Sequence, residues 1–337
     1  MISALLGDKP EHEDGFESFP TRISGELAQR QAMAARKIQY HHAFLDDVLR
    51  GILPHDLILI GAPSGIGKTD LALNIAVNNA MAGRRVNYFA LEAEPLELER
   101  RTKFSMLSRE VYRTHHSRRQ EMNYTDWLLG ACEEICGPFN RQIDAEILAT
   151  LHNLRTYYRG AKFDAADLER WILKVHQQSD LLIVDHLHYI DDDSDNEARS
   201  LGDTVKTIRD VSLRIGKPII LIAHLRKRDS RGKQIMSTID DFHGSSNITK
   251  ICTQAVIIER ATSIQGQRWH QSPTFFQVVK DRRGGKPREI AVSMFDLRTK
   301  NYANHYTLGR LEGGEWQEID TNDRPSWARN FKRMETI

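Results

Sequence analysis

Between a short apolar run, Leu57 to Ile60, and a helical stretch, Lys68 to Ala82, the chain turns through GAPSGIGKT. No other segment restricts the fold as strongly. A strand, a glycine turn and a helix in that order curl backbone N–H groups around an anion at a helix N-terminus. The turn fits the phosphate-loop pattern with Ala62 first, four residues, then Gly67, Lys68 and Thr69, while Gly61 falls one position too early for the all-glycine form. This relaxed pattern arises by chance in roughly a few of every hundred chains of such length. The flanking strand and helix therefore carry the inference. Ser64, Gly65, Ile66, Gly67, Lys68, Thr69 and Asp70 become candidate nucleotide contacts, Lys68 bridging the outer phosphates and Thr69 holding Mg²⁺ through its hydroxyl. The bland alternative is an ordinary glycine turn.

After Pro54, apolar runs and helical patterns alternate. Val86 to Leu91, Leu181 to Val184 and Ile219 to Ala223 read as buried strands; Gln254 to Glu259, Thr274 to Lys280 and Glu289 to Phe295 read as three closely spaced ones. Strands alternating with helices imply a parallel sheet covered on both faces, and closely spaced strands return as a meander. The expected class is α/β: a P-loop NTPase core with a mostly parallel sheet, helices on both faces and a C-terminal antiparallel extension. That core spans residues 44 to 308, with a helical, strand-free region from 95 to 179 interrupted by Pro138 and Gly160. Residues 1 to 22 read as a flexible acidic arm, and 23 to 43 as a linker helix packing on its own core or on a neighbouring subunit. Residues 309 to 337 read as a polar tail anchored by Trp316 and Trp327.

Composition narrows the function classes. The 337 residues carry 47 Lys plus Arg against 46 Asp plus Glu, so a net charge of +1 excludes a globally basic nucleic-acid coat. Three cysteines (Cys132, Cys136 and Cys252) are too few for a disulfide framework and fit a reducing compartment. No apolar run approaches a membrane span, and the acid-rich start resembles neither a secretory signal nor a transit peptide. The expected location is the cytoplasm, or the host cytoplasm for a phage-encoded chain.

A phosphate loop alone serves kinases, GTPases and motors alike. The strand LLIVD delivers Asp185, the expected holder of the Mg²⁺ shell. His186 follows where many ATPases place a glutamate, so the water-activating base must come from elsewhere. Glu92, ending VNYFAL, is the candidate because neighbouring parallel strands end on one rim; a helix-capping acid before Pro95 is its alternative. His224 ends IILIA on that rim, either sensing a terminal phosphate or serving as a loop residue. His186 and His188 sit beside Asp185 without a suitable third metal ligand.

Taken in order, FLDDVLRGILPHDLILIGAPSGIGKTDLALNIA, YFALEAE, LLIVDHLHYI and IILIAHLRK resemble the motifs of the DnaB-like ring helicases. FHGSSNITKICTQAVIIER is similar to the phage and Twinkle-like branch, VVKDRRGGKPREIAV follows at the expected place, and the set covers most of residues 44 to 302. The resemblance implies a RecA-like core working as a ring, usually a hexamer, that moves along single-stranded DNA in replication. ATP or another NTP, with Mg²⁺, would drive it. The same resemblance assigns Lys68 and Thr69 to phosphate and Mg²⁺, Glu92 to the base, Asp185 to Mg²⁺ and His224 to the sensor. It sends Lys280 and Arg282 to the neighbouring subunit's nucleotide, with Arg283 as fallback, and offers Tyr302 either for stacking on the nucleobase or for core packing. Residues 1 to 43 are too short for a DnaB N-terminal domain or a fused primase, so the chain is not expected to make primers; whether a separate primase, loader or polymerase joins it stays open at this point. The competing classes are a RecA-like ATPase that does not unwind, such as a KaiC-like switch or helicase loader, and a slow nucleotide-dependent scaffold.

Two basic clusters complete the expectations. Arg226, Lys227, Arg228, Arg231 and Lys233 oppose a single Asp229 in a loop leaving the nucleotide rim. Such a loop suits phosphate backbones through sequence-independent, salt-sensitive binding, with Gly244 and Ser245 adding backbone amides and a hydroxyl; a solvated surface loop is the alternative. Lys280, Arg282, Arg283, Lys286 and Arg288 surround a Gly284–Gly285 turn, where a hairpin edge also carries charge merely to prevent aggregation.

Overall fold

All six residues of β1 (Leu57–Ala62) are buried, as befits a strand paired on both edges and covered on both faces. In this computed structural model, which describes residues 18–114, 122–160, 162–191, 197–225, 236–242, 245–262, 264, 270–313 and 315–333, β1 lies inside an eleven-stranded sheet. Ahead of it come α1 (Phe19–Ile23), α2 (Glu26–Ala35) and α3 (Ala43–Leu49). After it follow α4 (Lys68–Met81), β2 (Val86–Ala90), α5 (Glu97–Thr114), α6 (Tyr124–Leu128), α7 (Glu133–Thr150), β3 (Leu154–Tyr158), α8 (Ala165–Val175), β4 (Leu181–Asp185), α9 (Glu197–Ile215) and β5 (Ile219–His224). The chain closes with α10 (Ser245–Ile251), β6 (Gln254–Arg260), β7 (Gln271–Asp281), β8 (Ile290–Asp296), β9 (Asn301–Tyr302), β10 (Thr307–Glu312) and β11 (Glu315–Glu318).

Strands β3-β2-β4-β5-β1-β6 run parallel, and β7, β8, β10 and β11 extend the sheet antiparallel beyond β6. Strand alternation divides the core into two layers. Ile58, Ile60 and Ala62 face one layer with residues of α3 and α4, whereas Leu57 and Leu59 face the other with residues of α8, α9 and α10. Each such Leu or Ile contributes about 1.5–3 kcal/mol by leaving water. The central strands are thus held rigidly, and the residues following their C-terminal ends are set in fixed positions along one rim.

The structure differs from the sequence reading in both terminal segments and in the helical region. The helix expected from Ile23 is broken: Gly25, left-handed at φ 86°, separates α1 from α2, and no residue of α2 is buried. The chain divides after Lys37, and the second unit opens with Ile38 paired to Ile52 rather than at residue 44. Within the region read as strand-free, LRTYY forms β3 beside β2. The segment read as a tail continues the sheet through β10 and β11, and its Ile319, Ala328 and Phe331 join the core. Asp47 of α3 ties it down, accepting hydrogen bonds from the Tyr306 hydroxyl at 2.7 Å and the Asn330 backbone N–H at 2.8 Å.

Candidate nucleotide site

The turn between β1 and α4 has the shape its glycines predict. Gly65 and Gly67 take left-handed φ of 78° and 89°, which side chains resist, and the backbone curls ahead of α4. Gly61 has a different reason to be glycine: a Cβ there would collide with the Phe242 ring. Its early position is therefore a packing requirement of β1, and Ala62 takes the first place in the loop.

Lys68 is buried at 6% exposure, its Nζ 3.3 Å from the Ala62 carbonyl, 3.2 Å from that of Pro63 and 2.9 Å from His224 Nδ1. Burial lowers its pKa, and the charges of Asp185 and Glu92 oppose that fall. Asp185, ending β4, is also buried; Tyr88 donates to its Oδ2 at 2.7 Å. Desolvation raises its pKa, while hydrogen bonds from Tyr88 and Thr69 and the Lys68 charge pull it down. Its Oδ1 has no partner among the described residues. An orphaned carboxylate oxygen beside a threonine hydroxyl is an oxygen donor set suited to Mg²⁺.

Glu92 follows β2, its side chain 47% exposed and its Oε2 2.7 Å from His186 Nε2. Burial and the Asp185 charge raise its pKa, Lys68 opposing them. His186 is buried, and desolvation together with His224, His188 and Lys68 pushes it down to about 2, so it is neutral. Its Nε2 also lies 2.8 Å from His224 Nε2. Ser64 Oγ approaches His224 Nδ1 at 3.4 Å. The structure thus brings Lys68, Thr69, Glu92, Asp185 and His224 together, and adds His186, which the sequence reading left without a partner. Its third ligand group arrives from the ends of β2 and β5, the strands flanking β4. Only the strand order reveals that.

Other expectations fare differently. Asp70 gives its carboxylate to Arg101 at 3.1 Å, so only its first-turn amide is available to a phosphate. The Tyr302 ring packs against Phe295, Phe276 and His42 at centroid distances of 4.9, 5.2 and 5.1 Å, which favours core packing over nucleobase stacking. Lys280 Nζ donates to the Thr249 and Lys250 carbonyls at 2.5 and 2.8 Å, capping α10. Arg283 donates to the Leu49 and Gly51 carbonyls, which removes the fallback from the candidate cations. Arg282 is exposed, and its backbone N–H bonds the Thr253 carbonyl at 2.9 Å. Because Thr253 pairs with Leu57, Arg282 lies at the N-terminal rim of the sheet, roughly 16 Å along β1 from the phosphate loop. Arg226, Lys227, Arg228, Arg231, Lys233 and Gly244 lie outside the described residues; Ser245 opens α10.

A phosphate loop at the end of a central parallel strand, with a carboxylate two strands away, defines a RecA-like P-loop nucleotide-binding domain. Residues 38–304 match the DnaB-like helicase C-terminal domain, and the chain belongs to that family. The replicative DNA helicase DnaB of Mycoplasma genitalium is 21% identical over 280 residues, 78% of this chain and 55% of the relative, so the chain spans about half that relative's length. Among solved structures, a DnaB-like replicative helicase, from a structure of its interactions with primase, superposes with a TM-score of 0.65 at 14% identity over 90% of this chain and 70% of that one. A separately solved ATPase domain gives 0.66 at 15% identity over 86% of this chain and 99% of that one. The KaiC-like protein PH0186 of Pyrococcus horikoshii gives 0.52 at 14% identity over 79% and 97%. Among the described residues no helix is long and apolar enough to cross a membrane.

Proposed function

We propose that this chain is the ATP-hydrolysing motor of a ring helicase that moves along single-stranded DNA during replication. The observation that carries the reading is the convergence of Lys68, Glu92, Asp185 and His224 on one rim in a chain of the DnaB-like family. Backbone amides from Ser64 to Asp70 and the Lys68 ammonium hold the phosphates, and His224 senses the terminal one. Thr69 and Asp185 would hold Mg²⁺, which would supply neutralisation of phosphate charge. Glu92 orients the attacking water and takes its proton; its raised pKa is the direction a general base needs.

Arg282 cannot serve the nucleotide of its own chain from the opposite rim. Arg209, whose pKa is lowered first by burial and then by Arg282, adds to a cationic patch with Lys280 there. The patch suits a neighbour's phosphates, so a complete site takes two copies and a closed ring, a hexamer, supplies them. The loop leaving β5 after His224 carries the DNA contacts, and a separate primase, loader or polymerase joins the ring in the cytoplasm. Steady-state ATPase with and without single-stranded DNA, on material of measured solution mass, tests the reading. Ring-sized particles with DNA-stimulated turnover are expected. A monomer with full, DNA-independent turnover would favour a KaiC-like switch or loader, and bound ATP without turnover a scaffold.

A further inference from the structure

Three Lewis-basic atoms converge beside the phosphate loop. Glu92 Oε2, His186 Nε2 and His224 Nε2 lie within 4.8 Å of one another, with His186 Nε2 2.7 Å from the first and 2.8 Å from the last. Their hydrogen bonds cannot all be made. The Lys68 ammonium only donates, so its 2.9 Å contact makes His224 Nδ1 an acceptor and leaves that ring's proton on Nε2. If His186 Nε2 is bare, it accepts from His224, and the Glu92 carboxylate faces a lone pair. If Glu92 is protonated, two donors crowd one lone pair. If His186 Nε2 carries a proton, it faces the proton of His224. Every arrangement leaves one contact unmade.

A shared cation removes the conflict. Two imidazole nitrogens and one carboxylate oxygen, with the exposed side of Glu92 leaving a fourth position open, suit a zinc-class ion. Mg²⁺ prefers oxygen donors in an octahedron, and Asp185 with Thr69 offers it a better place. Coordination through His224 Nε2 moves the ring proton to Nδ1. Lys68 then rests on the Ala62 and Pro63 carbonyls, which it already reaches.

We propose that Glu92, His186 and His224 form a transition-metal site that competes with nucleotide for His224 and withholds Glu92 from hydrolysis. The inhibitory half of this proposal rests on Glu92 being the base; the binding half does not.

Cobalt(II) added to the full chain without nucleotide is the probe, because four-coordinate cobalt absorbs strongly in the visible. Stoichiometric uptake is expected, displaced by zinc and not by excess Mg²⁺. His186→Asn and the half-exposed Glu92→Gln should each weaken it at least about tenfold. His188→Asn, outside the triad, should leave it unchanged. No uptake by the wild type, uptake indifferent to both triad variants, or thiolate charge-transfer absorption from the cysteines would overturn the site. Turnover of chelator-treated protein is measured separately. Hydrolysis without metal uptake rejects the site and keeps the motor; metal uptake without hydrolysis supports the site and rejects the motor.

Discussion

The two rims of this sheet handle charge in opposite ways. At the C-terminal rim, Lys68, Asp185 and His186 are buried among one another, and polar atoms such as Asp185 Oδ1 and His186 Nδ1 are left without partners among the described residues. At the N-terminal rim, Lys280 caps α10 and Arg283 caps the end of α3, each satisfied by its own chain. Arg282 is the exception, exposed and without a side-chain hydrogen bond or ion pair to the described residues. Unsatisfied buried atoms are costly unless a ligand completes them, whereas an exposed arginine costs little to hold ready. One rim therefore gains from any ligand that completes those atoms. The other rim leaves one cation exposed, which under the proposed function serves a neighbour's nucleotide.

Arg282→Ala should break that comparison most sharply. An arginine against transferring phosphate accelerates the step about a thousandfold or more, so turnover should fall by that factor with thermal stability unchanged. Lys68→Ala, lacking the phosphate contact, should fail to a similar degree. Rings mixed from the two variants, with exchange checked by differently tagged chains, should regain measurable ATPase. Recovered turnover supports sharing across the interface; none after proven exchange means that Arg282 does not act on a neighbour's nucleotide or that hydrolysis requires every interface intact.

Glu92→Gln tests the C-terminal rim alone. It keeps the side-chain shape and removes the proton acceptor, so hydrolysis should drop about a hundredfold while nucleotide affinity is retained. Hydrolysis near the wild-type rate, measured by phosphate release, would move the base elsewhere on the rim.

The C-terminal rim was legible because its residues follow continuous apolar strands, and parallel strands end together. Glu92, Asp185 and His224 could be placed on one rim by that alone; Lys68 came from the glycine turn, and the family resemblance assigned the roles of all four. The role of His186 was not legible, since its contacts lie 94 residues back at Glu92 and 38 ahead at His224. Strand β3 escaped because an edge strand reading LRTYY is half buried and interrupted by Arg155 and Thr156. The sheet's last hairpin escaped for a similar reason: β11 is an exposed edge strand and β10 is buried only over Thr307 to Gly309, so neither needs a long apolar run. At the N-terminal rim the resemblance supplied Lys280 and Arg282 as a pair, with Arg283 as fallback. Only the carbonyls around them separated Arg282 from Lys280 and Arg283.

Single-stranded DNA binding gives a smaller, graded test. Replacing Arg226, Lys227 and Arg228 with alanine should lower DNA affinity about tenfold or more at moderate salt. The slope of log affinity against log salt should shrink by about two, three phosphate contacts at about 0.7 each. Basal ATPase should persist, because the rim that holds nucleotide is untouched. An unchanged slope in a fluorescence-anisotropy titration would return the loop to plain solvent.

The smallest effect is expected of Arg283→Ala, and it separates the two adjacent arginines. The Arg283 guanidinium donates to the Leu49 carbonyl at 3.2 Å and the Gly51 carbonyl at 2.7 Å, with Asp56 3.6 Å away. These carbonyls lie at the end of α3, where Arg50 and Gly51 turn through left-handed conformations and the helix dipole favours a positive charge. Truncation leaves them to water in a partly exposed position, so the loss should be about 1–2 kcal/mol, below the upper range for charged hydrogen bonds. Denaturant unfolding should show a lower midpoint with an unchanged slope, and assembled rings should retain most of their ATPase. If Arg283→Ala instead lost turnover as Arg282→Ala is expected to, with no change in midpoint, the neighbour-facing cation would be Arg283, and its bonds to α3 would have to open as the ring closes.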